Sequence, residues 1–144
     1  MDEGIARTAL DPDAGERFVS LRRQLGVTSF GINQMVLEPR QRGRIHRHGR
    51  QEEVYLVLEG TLTLVVEGEE QALRRGELVR VAPEVRRQLV NRGPERLVLL
   101  AVGGAGVHEG RDGLAWTSWE DGGPPRTPRE IPLPDDLPLD GAAG

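Results

Sequence analysis

The chain has 144 residues, 37% hydrophobic and 29% charged, with a formal net charge of -4. That length suits one domain with a buried core and leaves no room for two barrels, and the acidic balance excludes a general nucleic-acid binder. Cysteine and lysine are both absent, which excludes disulfides, thiolate chemistry and lysine Schiff bases.

Residues 1–16 are charged, carry the turn signal Asp11-Pro12 and lack an apolar signal-peptide region. They predict a loose arm, no secretory signal and a cytoplasmic setting. Arg17–Leu25 (RFVSLRRQL) is too short for its periodicity to separate helix from strand, and residues 1–27 are assigned to the N-terminal arm. From Thr28 the texture becomes that of short strands. SFGINQMVLEP is ended by Pro39, and RGRIHRH follows. EVYLVLEG and TLTLVVEG join around Glu59-Gly60 and close at Glu67-Gly68-Glu69. QALRRGE, LVRVAP, VRRQLVNRG and ERLVLLAVGG complete the series. Strands this short and this closely spaced predict an all-β sandwich or barrel over residues 28–115. The longest apolar run, Leu97 to Val102, is far below the ~20 residues needed to cross a bilayer.

Residues 116–144 form a Pro/Gly-rich extension. Its prolines (124, 125, 128, 132, 134 and 138) exclude helix and central strand and favour an extended polyproline-like chain. Ile131, Leu133, Leu137 and Leu139 alternate with them, so two states stay open: a tail seated in a groove of its own subunit or its neighbour, or a disordered one. Trp116 and Trp119 read as anchors for a returning tail.

The chemistry centres on His46–Gly60, HRHGRQEEVYLVLEG. On a strand, residues i and i+2 share a face, so His46 and His48 can offer two imidazoles to one ion. A loop then leads to Glu53, whose carboxylate can fold back across from them. Two imidazoles and a carboxylate suit Fe(II) and tolerate Mn, Co, Ni or Zn. Glu52 is expected to face solvent. Tyr55 and Val57 share the face of Glu53 and should line a cavity, whereas Val54, Leu56 and Leu58 form an outer apolar row that something must cover. A homodimer is the preferred cover. Arg40, Arg42, Arg44, Arg47 and Arg50 surround the histidines without interleaved aromatics, which indicates a solvated rim rather than a nucleic-acid patch. Arg44, with the parity of His46, is placed at the pocket mouth. His108 in GVHEG is read as exposed, and Gly103–Gly106 as a simple turn without the Lys-Ser/Thr of a phosphate loop.

The spacing His46-x-His48-x4-Glu53-x6-Gly60, followed by GELVRVAPEVRRQLVN from Gly76 to Asn91, resembles the paired motifs of the cupin superfamily over residues 28–104. That resemblance implies a double-stranded β-helix, or jelly-roll, barrel that pairs as a homodimer. It implies a divalent transition metal (Fe, Mn, Ni or Zn) on His46, His48 and Glu53 and a small organic molecule in the barrel. It leaves open a metal-dependent oxygenase or isomerase and a non-catalytic, metal-free binding or sensing protein; no catalytic residue is named. Two positions depart from the pattern. The motif-two histidine falls on Arg87, and the glycine of its Pro-x-Gly turn falls on Glu84. Arg87 can pair with Glu53 and leave the pocket metal-free, swing aside from a three-ligand site, or receive the anionic group of a substrate that also touches the metal, and Glu84 can neutralise it. Arg87, Tyr55 and Arg44 are the expected substrate contacts, favouring a small anionic ligand, with no nucleic-acid or membrane partner.

Overall fold

The computed structural model describes residues 4–104 and 112–139. His108 and the end of the Gly103–Gly106 turn lie outside these residues. In chain order the elements are β1 (Phe18–Ser20), α1 (Leu21–Leu25), β2 (Gly31–Leu37), β3 (Ile45–His48), β4 (Glu52–Glu59), β5 (Thr61–Val66), β6 (Glu69–Arg74), β7 (Leu78–Val81), β8 (Gln88–Val90), β9 (Leu97–Gly104), β10 (Gly113–Trp116) and a single 3-10 turn (Pro128–Glu130), which is short helix in a tail expected to hold none. The ambiguous RFVSLRRQL stretch holds both a strand and a helix. Ser20 ends β1 and caps α1, its hydroxyl accepting from the Arg23 N–H at 3.2 Å, and Gly26 at φ 75° closes the single turn.

One sheet runs β1-β2-β9-β4-β7, antiparallel throughout. Facing it are β6-β5-β8 and β10-β3, joined by backbone pairing of Arg42 with Val90 and of His46 with Arg87. The two faces enclose Tyr55, Val57, Leu99 and Ala101 from the first layer and Leu62, Leu64, Leu73 and Leu89 from the second. Each large side chain buried there contributes about 1.5–3 kcal/mol. The all-β, double-stranded β-helix architecture is the expected one.

Two residues singled out by spacing shape the turns. Gly60, at φ 79°, passes the chain from β4 to β5 so close to β9 that a Cβ would lie 2.3 Å from the Arg96 carbonyl oxygen. Asn91 is fully buried. Its amide donates to the carbonyls of Leu37 and Glu95, both at 2.9 Å, and its oxygen accepts from the Gly93 N–H at 3.0 Å, so one side chain closes the turn into β9.

Segments on both sides of the barrel in sequence lie against it. Part of the expected loose arm is pinned: Asp11 exchanges two hydrogen bonds with the buried Gln34 side chain, at 2.7 and 3.0 Å, and β1 extends the sheet. Trp116, expected in the extension, is the last residue of β10. Beyond it the tail lies along its own subunit, where Ile131 is buried and the Leu137 N–H donates to the Arg40 carbonyl at 2.7 Å. The rim arginines grip its carbonyls. Arg40 reaches Leu137 O at 3.1 Å, Arg42 reaches Asp135 O at 2.8 Å and Arg44 reaches Ile131 O at 2.7 Å. A proline-rich strand suits such donors, because its carbonyls lack internal partners. Arg86 lies over Trp116 and Trp119, 5.2 and 5.5 Å from their ring centres.

On the outer face of the first sheet, Leu56 stands opposite Leu78 and Leu100, and Val54 opposite Val102. These side chains are half-buried or, for Leu78, 63% exposed.

Candidate metal centre

At the mouth of the barrel β3 and β4 bring three ligands together. Nitrogens of His46 and His48 and a carboxylate oxygen of Glu53 all lie within 4.8 Å of one another. Their side chains are 15–19% exposed, so the group is sheltered and still reachable from solvent. His46 Nε2 is 3.8 Å from Glu53 Oε1, and His48 Nε2 is 3.4 Å from Glu53 Oε2.

Which ring nitrogens face the centre follows from their partners. His46 Nδ1 lies 3.1 Å from the Arg44 carbonyl and His48 Nδ1 2.8 Å from an Asp112 carboxylate oxygen. Both partners only accept, so each Nδ1 carries the proton and each Nε2 presents a lone pair inward. With both rings neutral, two lone pairs and a carboxylate converge, and His48 Nε2 is buried without a hydrogen-bond partner. Such a cluster calls for a positive charge at its centre. The donors fit one metal ion, and their chemistry suits a divalent transition metal.

Of the contacts open to it, Arg87 makes the pair with Glu53. It is fully buried; Nη2 donates to Glu53 Oε1 at 2.6 Å, Nε to the Tyr55 hydroxyl at 3.2 Å and Nη1 to the Val85 carbonyl at 2.9 Å. Tyr55, also buried, donates to the same Glu53 oxygen. Glu53 is thereby divided: Oε1 is held by Arg87 and Tyr55, while Oε2 faces His48. Glu84 is exposed and forms no ion pair with Arg87 among the described residues. Glu52 faces outward to Arg80, at 3.0 Å.

The charges shift one another. Burial alone would raise the Glu53 carboxyl, but the His46 and His48 rings beside it outweigh that and hold the group well below its usual range. Burial opposes protonation of His48, yet Glu53 and Asp112 together raise it. Burial, then the Glu53 charge, pushes the Tyr55 phenol up, so it stays a donor. Burial would lower Arg87, but Tyr55 and Glu53 hold its guanidinium charged.

Arg44, expected at the pocket mouth, turns its Nε to the Ile131 carbonyl of the tail, at 2.7 Å. Asp112 was missed by sequence reasoning. It stands before β10, sixty-four positions from His48, and only its placement ahead of Gly113 at a strand start could have drawn notice. Pairing registers also show what neighbours Glu53. Gly31 and Gly103 share its inward row, and Asn33, Ala101 and Tyr55 make up the next, so two strands offer no side chain beside the carboxylate.

The family profile described as "Cupin domain" matches residues 33–103. A cupin protein from Bacteroides fragilis superposes with a TM-score of 0.65 at 24% identity, covering 75% of this chain and 91% of that one. A sugar phosphate isomerase from a cupin superfamily, from Silicibacter pomeroyi, gives 0.60 at 27% identity over 80% and 75%. A Cupin 2 conserved barrel domain protein from Salinispora arenicola gives 0.51 at 25% over 67% and 81%. No curated protein matches. With its paired motifs and its fold, residues 33–103 of the chain are a cupin domain.

Proposed function

We propose that this chain is a cytoplasmic, homodimeric cupin that holds one divalent transition metal, Fe, Mn, Ni or Zn, on His46, His48 and Glu53 and binds a small anionic organic molecule beside it. The observation that carries the reading is the buried, unpartnered Nε2 of His48, converging with His46 and Glu53 within 4.8 Å. Three ligands leave coordination positions open.

When bound, the ion polarises an oxygen of the ligand or activates O2. The chain's own groups do the rest. Arg87 and Tyr55 hold Glu53 Oε1 so that Oε2 faces inward, and both are too deeply buried to touch the ligand first. The space beside Glu53, where Gly31 and Gly103 carry no side chain, receives the ligand. Asn33, on the inner face one row down, offers its carboxamide. The charges favour an anion: the Arg87–Glu53 pair is neutral, and a divalent ion beside it leaves net positive charge after Asp112 is counted. The neighbour at 27% identity titled a sugar phosphate isomerase makes a phosphorylated sugar one candidate of this class.

A second reading rests on the 2.6 Å Arg87–Glu53 bond. Here Arg87 supplies the positive charge in place of a metal, and the barrel binds or senses its ligand without catalysis. Elemental analysis of the purified protein decides between them. One equivalent of a transition metal, lost in His46→Ala and His48→Ala, supports the first; metal-free protein that takes up no Co(II) or Zn(II) on titration supports the second.

A further inference from the structure

Asp112 touches no ligand position, yet four hydrogen bonds meet on its carboxylate. Oδ1 accepts from His48 Nδ1 at 2.8 Å and from the Gln51 amide at 2.7 Å. Oδ2 accepts from the backbone N–H groups of Arg50 and Gln51, both at 2.9 Å. The Gly49 N–H donates to the Asp112 carbonyl at 3.0 Å. One residue, itself only 7% exposed in its side chain, therefore fixes a metal-ligating histidine and the three residues that lead from β3 to Glu53's strand.

We infer that Asp112 is the positioning residue of the metal centre, holding His48 as the Nδ1–H tautomer and locking the Gly49–Gln51 loop so that ligand and loop order together. This rests on the proposed metal reading for its link to affinity but not for the tautomer itself. Imidazole in water favours the Nε2–H form. Without an acceptor at Nδ1, the proton would shift to the nitrogen that must face the ion, and each binding event would then have to undo that shift. A carboxylate in this place orients the ring and raises its basicity as a ligand, and its loss typically costs ten- to a hundred-fold in metal affinity. Because the same oxygens bind the loop amides, ion binding and loop protection are linked, and each stabilises the other.

Two measurements test this on the full-length protein. Ring 15N shifts of His48, recorded at alkaline pH without metal, should report Nδ1–H in the wild type, a shift toward Nε2–H in Asp112→Ala, and retention of Nδ1–H in Asp112→Asn, whose amide oxygen still accepts. Co(II) titration should show affinity about ten- to a hundred-fold weaker in Asp112→Ala, with Asp112→Asn in between. Amide exchange at Arg50 and Gln51 should slow when Co(II) is added to the wild type and stay unchanged in Asp112→Ala. An Nε2–H wild type, or an Asp112→Ala protein with wild-type Co(II) affinity, overturns the inference. Should Asp112→Ala fail to fold, Asp112→Asn answers instead, since unchanged Co(II) affinity there with an Nε2–H ring is equally fatal. A wild type that binds no Co(II) but keeps the Nδ1–H tautomer sinks the metal reading and the affinity link, leaving Asp112 as the group that sets the His48 ring.

Discussion

At the scale of single residues, the centre depends on how one carboxylate is shared. Glu53 gives one oxygen to Arg87 and Tyr55 and keeps the other for the histidines. Removing the guanidinium in Arg87→Leu strands a buried carboxylate, a loss of about 3–5 kcal/mol that denaturant unfolding would register. Arg87→His acts differently, releasing Oε1 from the guanidinium while Tyr55 still donates to it, and placing a third imidazole beside His46, its backbone partner. Its Co(II) affinity should rise by roughly tenfold or more, read by titration. The pH dependence follows from opposite shifts. His48 is raised in the folded protein, so its contribution to metal-free stability is complete below its unfolded value and fades as pH climbs through the folded one. Glu53 is depressed, so its contribution holds above its unfolded value and is lost as pH falls through the folded one. Metal-free protein should melt highest between about pH 4.3 and 6.5, the two unfolded values. Metal affinity should grow over the interval in which that stability declines, because the ion displaces a proton from His48. Melting temperature against pH, with and without Zn(II), checks both signs.

At the scale of elements, the strands and the ligand trio were legible because their signals are local. The β-branched and long apolar run VYLVL marks a strand, and the His-x-His spacing puts two rings on one face, without knowledge of the rest. Gly60 is the sharpest local case. In Gly60→Ala, positive φ and the 2.3 Å approach to the Arg96 carbonyl act together, and the cost should be about 3 kcal/mol by thermal or denaturant unfolding. What escaped the sequence is long-range or undecided by period. Asp112 reaches His48 across a separation that no spacing rule encodes. Arg44 has the parity of a pocket residue, but the tail's carbonyls claimed its guanidinium. Arg17–Leu25 was too short for its pattern to divide into β1 and α1, a division made by Ser20 as cap. The seated and disordered tails were equally consistent with its composition, and the donors that decide between them lie ninety residues upstream.

At the scale of the whole molecule, the outer row at Val54, Leu56, Leu78, Leu100 and Val102 is the surface on which a second copy is proposed to sit. Association would remove these side chains from water at about 25 cal/mol per Å² of apolar area. A carboxylate on that row would have to be desolvated for the second copy to dock. Leu56→Glu or Leu78→Glu should therefore halve the mass found by sedimentation equilibrium while leaving Co(II) uptake intact, since the ligands face the opposite side of the sheet. A wild type sedimenting as a single chain removes the proposal.

The strap over Arg40–Arg44 carries a different implication. Guanidinium groups that recognise main-chain oxygens are blind to what the gripped segment has for side chains, so an outward position such as Leu133, left 43% exposed, is free to drift while the buried Ile131 is not. Over evolutionary time the last stretch of such a protein can acquire a new surface vocabulary while the rim beneath it stays braced.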